Sequence, residues 1–147
     1  MMKQYLASAV VALCLVGCNH DSKSEPATNE ARHAAQPVQQ TPLAEVRQLV
    51  KTKAATVLDA NGRETREKYG VIPGATLLSS SRDYALSELP GDKSEPLVFY
   101  CGGMKCRASD HAAERAADAG YTKVSVMREG IRGWKAAGAP TATLPQS

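Results

Sequence analysis

Aromatic residues and charge of a single sign are both scarce in this sequence. Only 5% of its 147 residues are aromatic, and they include one Phe and one Trp. The 18 lysine and arginine residues are interspersed with 15 acidic residues, so the chain offers neither a basic stripe for nucleic acid nor an acidic tail. The length excludes a multi-domain enzyme. We therefore predict one small domain with a thin core of Val, Leu and Ala.

Histidine is scarce as well, and His111 is the one histidine in the part of the chain that we expect to fold. A three-ligand zinc site or a Ser-His-Asp triad needs more matched side chains than this part offers. Cys101, Met104 and Cys106 are soft Cu(I) ligands, but three such residues in one short stretch are a weak signal. We expect no metal and no cofactor.

Long hydrophobic runs are absent. The apolar segment from Leu6 to Val16 has 11 residues, whereas a membrane-spanning helix needs roughly 20. Lys3 precedes this segment, and a basic start followed by a short apolar stretch is typical of a signal peptide. We therefore predict a signal peptide over residues 1–17.

The end of this segment, Leu15-Val16-Gly17-Cys18, resembles the lipobox of bacterial lipoproteins. The resemblance implies cleavage before Cys18 and lipid attachment to that cysteine, so that Cys14 leaves with the signal. It also implies a cell-envelope protein that is anchored by lipid and faces the periplasm. Asn19 favours the outer membrane over the inner one. A plain secretory signal and an uncleaved anchor are the alternatives.

Residues 19–41 hold one Val and no aromatic, Leu, Ile or Met residue. Such a segment cannot bury enough apolar surface to offset the entropy lost on ordering. We therefore predict that residues 18–41 are the lipidated cysteine and a disordered tether, that residues 42–141 fold, and that residues 142–147 are a tail.

Within residues 42–141, helical and strand patterns alternate. Thr41-Pro42 is typical of a helix start, and Leu97–Tyr100 is an unbroken apolar run of the kind that is buried on both faces of a parallel sheet. Alternating elements with short connections predict an α/β fold, a mainly parallel sheet covered by helices. The predicted strands are 56–58, 77–78, 97–100 and 124–127, and the predicted helices are 43–50, 61–68, 81–89, 108–119 and 131–137.

The loop from Cys101 to Arg107 lies between the clearest strand and a helix start. Ligands of parallel sheets bind beyond the carboxyl ends of the strands. Glycine-rich backbone and a helix N-terminus favour an anion, and a nearby Lys105 and Arg107 would lower the pKa of the Cys101 thiol. We therefore predict Cys101 as the nucleophile, within an anion-binding loop of Gly102, Gly103, Met104, Lys105, Cys106 and Arg107.

Several short motifs of this chain, in order, resemble the rhodanese-like domains. They are Val57-Leu58-Asp59, Gly70-Val71-Ile72-Pro73-Gly74-Ala75, Phe99-Tyr100-Cys101, Ser109 with Ala112-Ala113, Gly120-Tyr121, Glu129-Gly130-Ile131, Trp134 and Ala137-Gly138-Ala139-Pro140.

This resemblance implies a three-layer α/β domain around a five-stranded, mainly parallel sheet. It further implies a sulfurtransferase in which Cys101 carries a persulfide from a thiosulfate-like donor to cyanide or a thiol, with Arg107 attracting the donor. The expected partners are a small sulfur-containing anion or a protein thiol and, through the lipid, a membrane. We expect no nucleic acid partner, and we expect a monomer.

Departures from the family pattern leave alternatives open. Arg107 lies six residues after Cys101, which gives C-x5-R, the longer loop of the cell-cycle dual-specificity phosphatases and related arsenate reductases. If the alignment with the family is instead anchored at Ser109, Ala108 takes the position where the Arg usually lies, and Arg107 has no counterpart. Cys106 is a possible resolving thiol, which would make the loop a redox-sensing or thiol-disulfide module. A non-catalytic binding domain is the remaining alternative.

Overall fold

The structure is a computed structural model, and it describes residues 37–144. The predicted signal peptide, Cys18, the tether up to residue 36 and the last three residues of the predicted tail lie outside the described residues. No helix within residues 37–144 is long and apolar enough to cross a membrane.

Five parallel strands form one sheet in the order β1-β5-β4-β2-β3. This confirms the predicted α/β fold and its five-stranded parallel sheet. The strands are β1 (Gln39–Gln40), β2 (Thr56–Asp59), β3 (Thr76–Leu77), β4 (Leu97–Tyr100) and β5 (Val124–Met127).

Strand β1 lies in a segment that we predicted to be tether. Gln39 and Gln40 pair with Ser125 and Val126 of β5, so the folded part begins before residue 42. Thr41, which we expected to cap the first helix, instead donates its hydroxyl to Ser125 Oγ at 2.7 Å. Composition could not reveal this strand because backbone pairing at a sheet edge needs no apolar side chain.

Within residues 37–144, four α-helices cover the sheet: α1 (Leu43–Thr52), α2 (Arg63–Tyr69), α3 (Ala108–Asp118) and α4 (Gly130–Ala136). The helix predicted over residues 81–89 is wrong, since only a 3₁₀ turn forms at Leu86–Glu88. The Glu88 carboxylate accepts hydrogen bonds from the Ser79 and Ala85 N–H groups and from the Ser79 hydroxyl. These bonds hold the segment in a turn.

Alternate residues of the strands build two cores, one on each face of the sheet. On one face Leu58, Phe99 and Val126 pack against the small residues Ala112 and Ala116 of α3. The opposite face packs against α1 and α4, through Val46, Val57, Val98, Tyr100, Met127, Ile131 and Trp134. This alternation produces the three layers.

A buried carboxylate joins the carboxyl ends of the central strands. Asp59, the last residue of β2, accepts hydrogen bonds from the Tyr100 hydroxyl at 2.6 Å and from the Arg66 Nε at 3.3 Å. The same Tyr100 hydroxyl accepts a bond from the Ile72 N–H, and the Arg66 guanidinium also donates to the carbonyl of Leu78. The ends of β2, β3 and β4 are thereby fixed relative to one another.

Candidate functional site

Cys101 directly follows β4, at the carboxyl edge of the sheet where the sequence placed it. Its side chain is buried, with 2% exposed. The Cys101 Sγ lies 3.2 Å from the hydroxyl of Ser109, in the first turn of α3, and the Ser109 N–H also points at this sulfur. The end of β4 and the start of α3 thus position the Cys101 thiol from two sides.

The loop after Cys101 folds back on itself. The Cys106 N–H donates to the Gly103 carbonyl at 2.8 Å, which closes a tight turn. The N–H groups of Gly102 and Ala108 point at the Cys106 sulfur. The Gly102 N–H of the loop and the first N–H groups of α3 therefore face the two thiols, as a nest for an anion requires. Both thiols are free.

The two basic residues predicted to activate Cys101 lie elsewhere. Lys105 is exposed, and the Arg107 side chain is 68% exposed with its Nε 2.9 Å from the carboxylate of Asp110. The buried Asp110 also accepts a hydrogen bond of 2.7 Å from the Arg128 Nη1, and its other oxygen lies 2.7 Å from the Arg128 Nη2. Arg107 thus extends a surface ion pair at the start of α3. Met104, at 69% exposed, lies on the surface as well.

The two thiols differ in the direction of their pKa shifts. Burial raises the pKa of the Cys101 thiol, and its hydrogen bond with Cys106 raises it further. Burial also acts to raise the pKa of the Cys106 thiol, but the hydrogen bonds from Cys101, Gly102 and Ala108 outweigh it and lower that pKa. The expectation of a lowered pKa at Cys101 is therefore wrong, because spacing from a helix start does not show which thiol is desolvated.

Arg132 is a cation that the sequence analysis missed. It lies in α4, and its Nε donates to the carbonyl of Gly102 at 3.0 Å. Its guanidinium also stacks 5.7 Å from the centre of the Tyr69 ring and lowers the pKa of Cys106 by its charge. The available signal was the position of α4, which begins just after β5 at the same sheet edge as Cys101.

Asn61 was missed too, although it follows β2 at this same edge. Its side chain is 7% exposed, and a Cβ placed on Gly102 would lie 3.7 Å from the Asn61 Oδ1 and 3.6 Å from the Arg132 Nη2. Among the described residues the Asn61 Nδ2 has no hydrogen-bond partner. A buried amide without a partner costs about 1–3 kcal/mol, so this group favours a ligand that accepts its hydrogen bond.

Gly130 brings α4 directly against the cysteine loop. Its φ is +60°, and a Cβ there would lie 2.4 Å from the Cys101 carbonyl oxygen and 2.5 Å from the Gly103 nitrogen. The adjacent Ile131 N–H donates to that Cys101 carbonyl at 2.8 Å. Only glycine allows the helix start and the loop to approach this closely.

The part of the chain that the structure describes contains no candidate metal site built from His, Cys, Asp or Glu side chains. Within residues 37–144 no group of three His, Cys, Asp or Glu side chains is arranged to hold an ion.

Replacing Gly130 by alanine tests the contact between α4 and the loop. Alanine at positive φ costs about 1–2 kcal/mol, and we expect a further 1–3 kcal/mol because the loop backbone must move. Gly138→Ala is the matched control, since Gly138 has a φ of +66° and nothing within 4 Å of its Cβ position. Urea unfolding measures both losses, and equal losses would contradict the close contact.

Comparison with known proteins agrees with this architecture. The family model for the rhodanese-like domain matches residues 42–137. The uncharacterized protein YibN of Escherichia coli K12 is 29% identical over 92 residues, which are 61% of this chain and 62% of YibN. The alignment thus spans less than two thirds of that relative.

Two solved structures share the fold. The solution structure of the rhodanese-like domain of Alr3790 from Anabaena is 27% identical, with a TM-score of 0.59 over 71% of this chain and 79% of that one. The human single-domain sulfurtransferase TSTD1 is 24% identical, with a TM-score of 0.54 over 67% of this chain and 96% of that one. Since the family model spans every element from α1 to α4, this chain belongs to the rhodanese-like domain family.

Proposed function

We propose that this chain is a sulfurtransferase that moves a sulfane sulfur, the outer sulfur of a donor such as thiosulfate, to a thiol or cyanide through a persulfide on Cys101. The observation that carries the proposal is the position of the Cys101 thiol. It lies at the carboxyl end of β4, where the Ser109 N–H at the start of α3 faces its sulfur and the N–H groups of Gly102 and Ala108 face the sulfur of Cys106. Such a nest stabilises the negative outer sulfur of a persulfide.

In the first step the Cys101 thiolate attacks the outer sulfur of thiosulfate. A bond forms between the Cys101 Sγ and that sulfur, the S–S bond of the donor breaks, and sulfite leaves with the electron pair. The rate of this step increases with pH as the Cys101 thiolate fraction increases. Because burial raises the pKa of Cys101, this increase is expected to extend to a higher pH than for an ordinary cysteine.

In the second step the acceptor attacks the outer sulfur of the Cys101 persulfide. A thiol becomes a persulfide and cyanide becomes thiocyanate, and the Cys101 thiolate is the leaving group in both cases. The enzyme returns to its starting state, so the cycle divides one transfer into two displacements.

The donor anion is held by Arg132 and Asn61 in this proposal, in place of the predicted Arg107. The Arg132 Nη2 lies beside Gly102, the residue next to the nucleophile, and the nearby Asn61 side chain has an Nδ2 group without a partner among residues 37–144. Their N–H groups suit the sulfonate oxygens of thiosulfate.

A phosphatase or arsenate reductase of the C-x5-R type would need Arg107 as a two-pronged donor to its oxyanion. The Arg107 Nε is engaged by Asp110, outside the loop, whereas the side chain of Arg132, although also exposed, lies against Gly102 of the loop. The geometry therefore favours sulfur transfer. Hydrolysis of an aryl phosphate is the observation that would reverse this preference.

We also propose that a lipid on Cys18 anchors the protein in the cell envelope, facing the periplasm, with the outer membrane favoured over the inner one. The domain would act there as a monomer on a small sulfur-containing anion or a protein thiol. The proposal rests on the lipobox-like residues Leu15 to Cys18. Fractionation of cells tests this proposal.

Cys18→Ser is expected to move the full chain from the membrane fraction to the soluble fraction, because the lipid contributes about 0.8 kcal/mol per buried methylene. The matched variant is Cys14→Ser, which removes a thiol four residues earlier and leaves the attachment site intact. Equal membrane retention of both variants would refute the lipid anchor.

Arg132→Ala is expected to lower kcat/KM for thiosulfate, with cyanide as acceptor, by about tenfold or more, since a hydrogen bond to a charged group contributes about 1.5–3 kcal/mol. Arg107→Ala is expected to change kcat/KM far less, and Lys135→Ala serves as the control for loss of an exposed charge on α4. Thiocyanate formation measures all three.

A larger loss in Arg107→Ala than in Arg132→Ala would contradict this assignment of the donor site. Thiocyanate formation that survives in Cys101→Ser, or is absent from the reduced full chain, would refute sulfur transfer through Cys101.

A further inference from the structure

Cys106 is the feature of the site that sulfur transfer to an external acceptor does not use. It is half-buried, whereas Cys101 is 2% exposed, and both belong to the same loop. We propose that Cys106 discharges the Cys101 persulfide within the chain, releasing sulfide and leaving a Cys101–Cys106 disulfide. This inference rests on the proposed function, because it begins from the persulfide.

The fold of the loop brings the two sulfur atoms together. The hydrogen bond from the Cys106 N–H to the Gly103 carbonyl turns the chain back toward its start, and the Gly102 N–H reaches the Cys106 sulfur. The two thiols also lie close enough for each to shift the pKa of the other. A nucleophile held this close reacts with a large effective concentration and needs no separate encounter.

Because Cys101 is buried, Cys106 is favoured over an external thiol as the first nucleophile to attack the Cys101 persulfide. The Cys101 side chain is buried and its sulfur lies against Ser109, so an external thiol must reach it from solvent, whereas Cys106 belongs to the same loop. Cys106 also has the lowered pKa of the pair, so a larger fraction of it is thiolate. Thiolate, not thiol, is the attacking form.

The attack is expected at the Cys101 Sγ. The bond between the Cys106 and Cys101 sulfur atoms forms and the bond from the Cys101 Sγ to the outer sulfur breaks. The outer sulfur takes the proton that the Cys106 thiol gives up and leaves as hydrosulfide with the electron pair. Attack at the outer sulfur would instead expel the Cys101 thiolate, whose raised pKa makes it the poorer leaving group.

The complete reaction balances. Two thiols and one thiosulfate give one disulfide, one sulfite, one hydrosulfide and one proton. The two thiols lose two electrons, and the sulfane sulfur gains them. A dithiol reductant, such as dithiothreitol in the test tube, restores both thiols by exchange and permits another cycle.

Trypsin provides a direct readout, because Lys105 separates the two cysteines. Cleavage after Lys93, Lys105 and Arg107 gives one fragment, 94–105, that contains Cys101 and another, 106–107, that contains Cys106. The disulfide is therefore a linked pair of these fragments, and a retained persulfide adds one sulfur atom to fragment 94–105.

The experiment exposes the reduced full chain to thiosulfate with no added thiol, and measures sulfite, sulfide and the tryptic fragments. The parent chain is expected to release about one equivalent each of sulfite and sulfide and to yield the linked fragments. Cys106→Ser and Cys106→Ala are expected to release sulfite alone and to retain the extra sulfur on fragment 94–105. Two different replacements separate loss of the thiol from a change in packing.

Each other outcome counts against a specific claim. Sulfite release without sulfide or linked fragments in the parent chain would overturn the internal discharge and leave sulfur transfer intact. Equal sulfide release from the parent and both Cys106 variants would overturn it as well. Absence of sulfite and of persulfide in all three chains would overturn both proposals.

Discussion

The buried carboxylate of Asp59 is the constraint on which the rest of the site depends. It binds the Tyr100 hydroxyl and the Arg66 guanidinium, and through them it fixes the carboxyl ends of β2, β3 and β4. Removing one partner of a buried ion pair typically costs about 3–5 kcal/mol, so loss of either Asp59 or Arg66 would destabilise this junction. Because Cys101 follows Tyr100 directly and Asn61 lies two residues after Asp59, the same junction places the nucleophile and the unpartnered amide.

The start of α4 completes the site from the opposite direction. Gly130 lets the helix touch the loop backbone, and the Ile131 N–H and Arg132 Nε hold the carbonyls of Cys101 and Gly102. With the loop carbonyls bound on that side, the Gly102 N–H and the first N–H groups of α3 face the two thiols. In this environment the pKa values of the two thiols shift in opposite directions, since burial raises the pKa of Cys101 while hydrogen bonds lower that of Cys106. The reactivity of the loop therefore depends on both sulfur atoms together and not on Cys101 alone.

The elements with strong apolar patterns could be predicted from the sequence, and those held by polar contacts could not. Strands β2, β4 and β5 are buried and read directly from their hydrophobic residues, whereas β1 is a polar edge pair and the 3₁₀ turn depends on Glu88. Cys101 was predictable because it ends the clearest strand. Arg132 reaches the loop through the topology of the sheet, which no local pattern records.

The most direct test of this account is the pH dependence of labelling at each thiol. The reduced full chain would be alkylated briefly at a series of pH values, and fragments 94–105 and 106–107 would report Cys101 and Cys106 separately. We predict that labelling of Cys106 reaches its midpoint at a pH below that of an ordinary cysteine, and that Cys101 reaches its midpoint above it. A Cys101 midpoint below that of Cys106 would contradict the account.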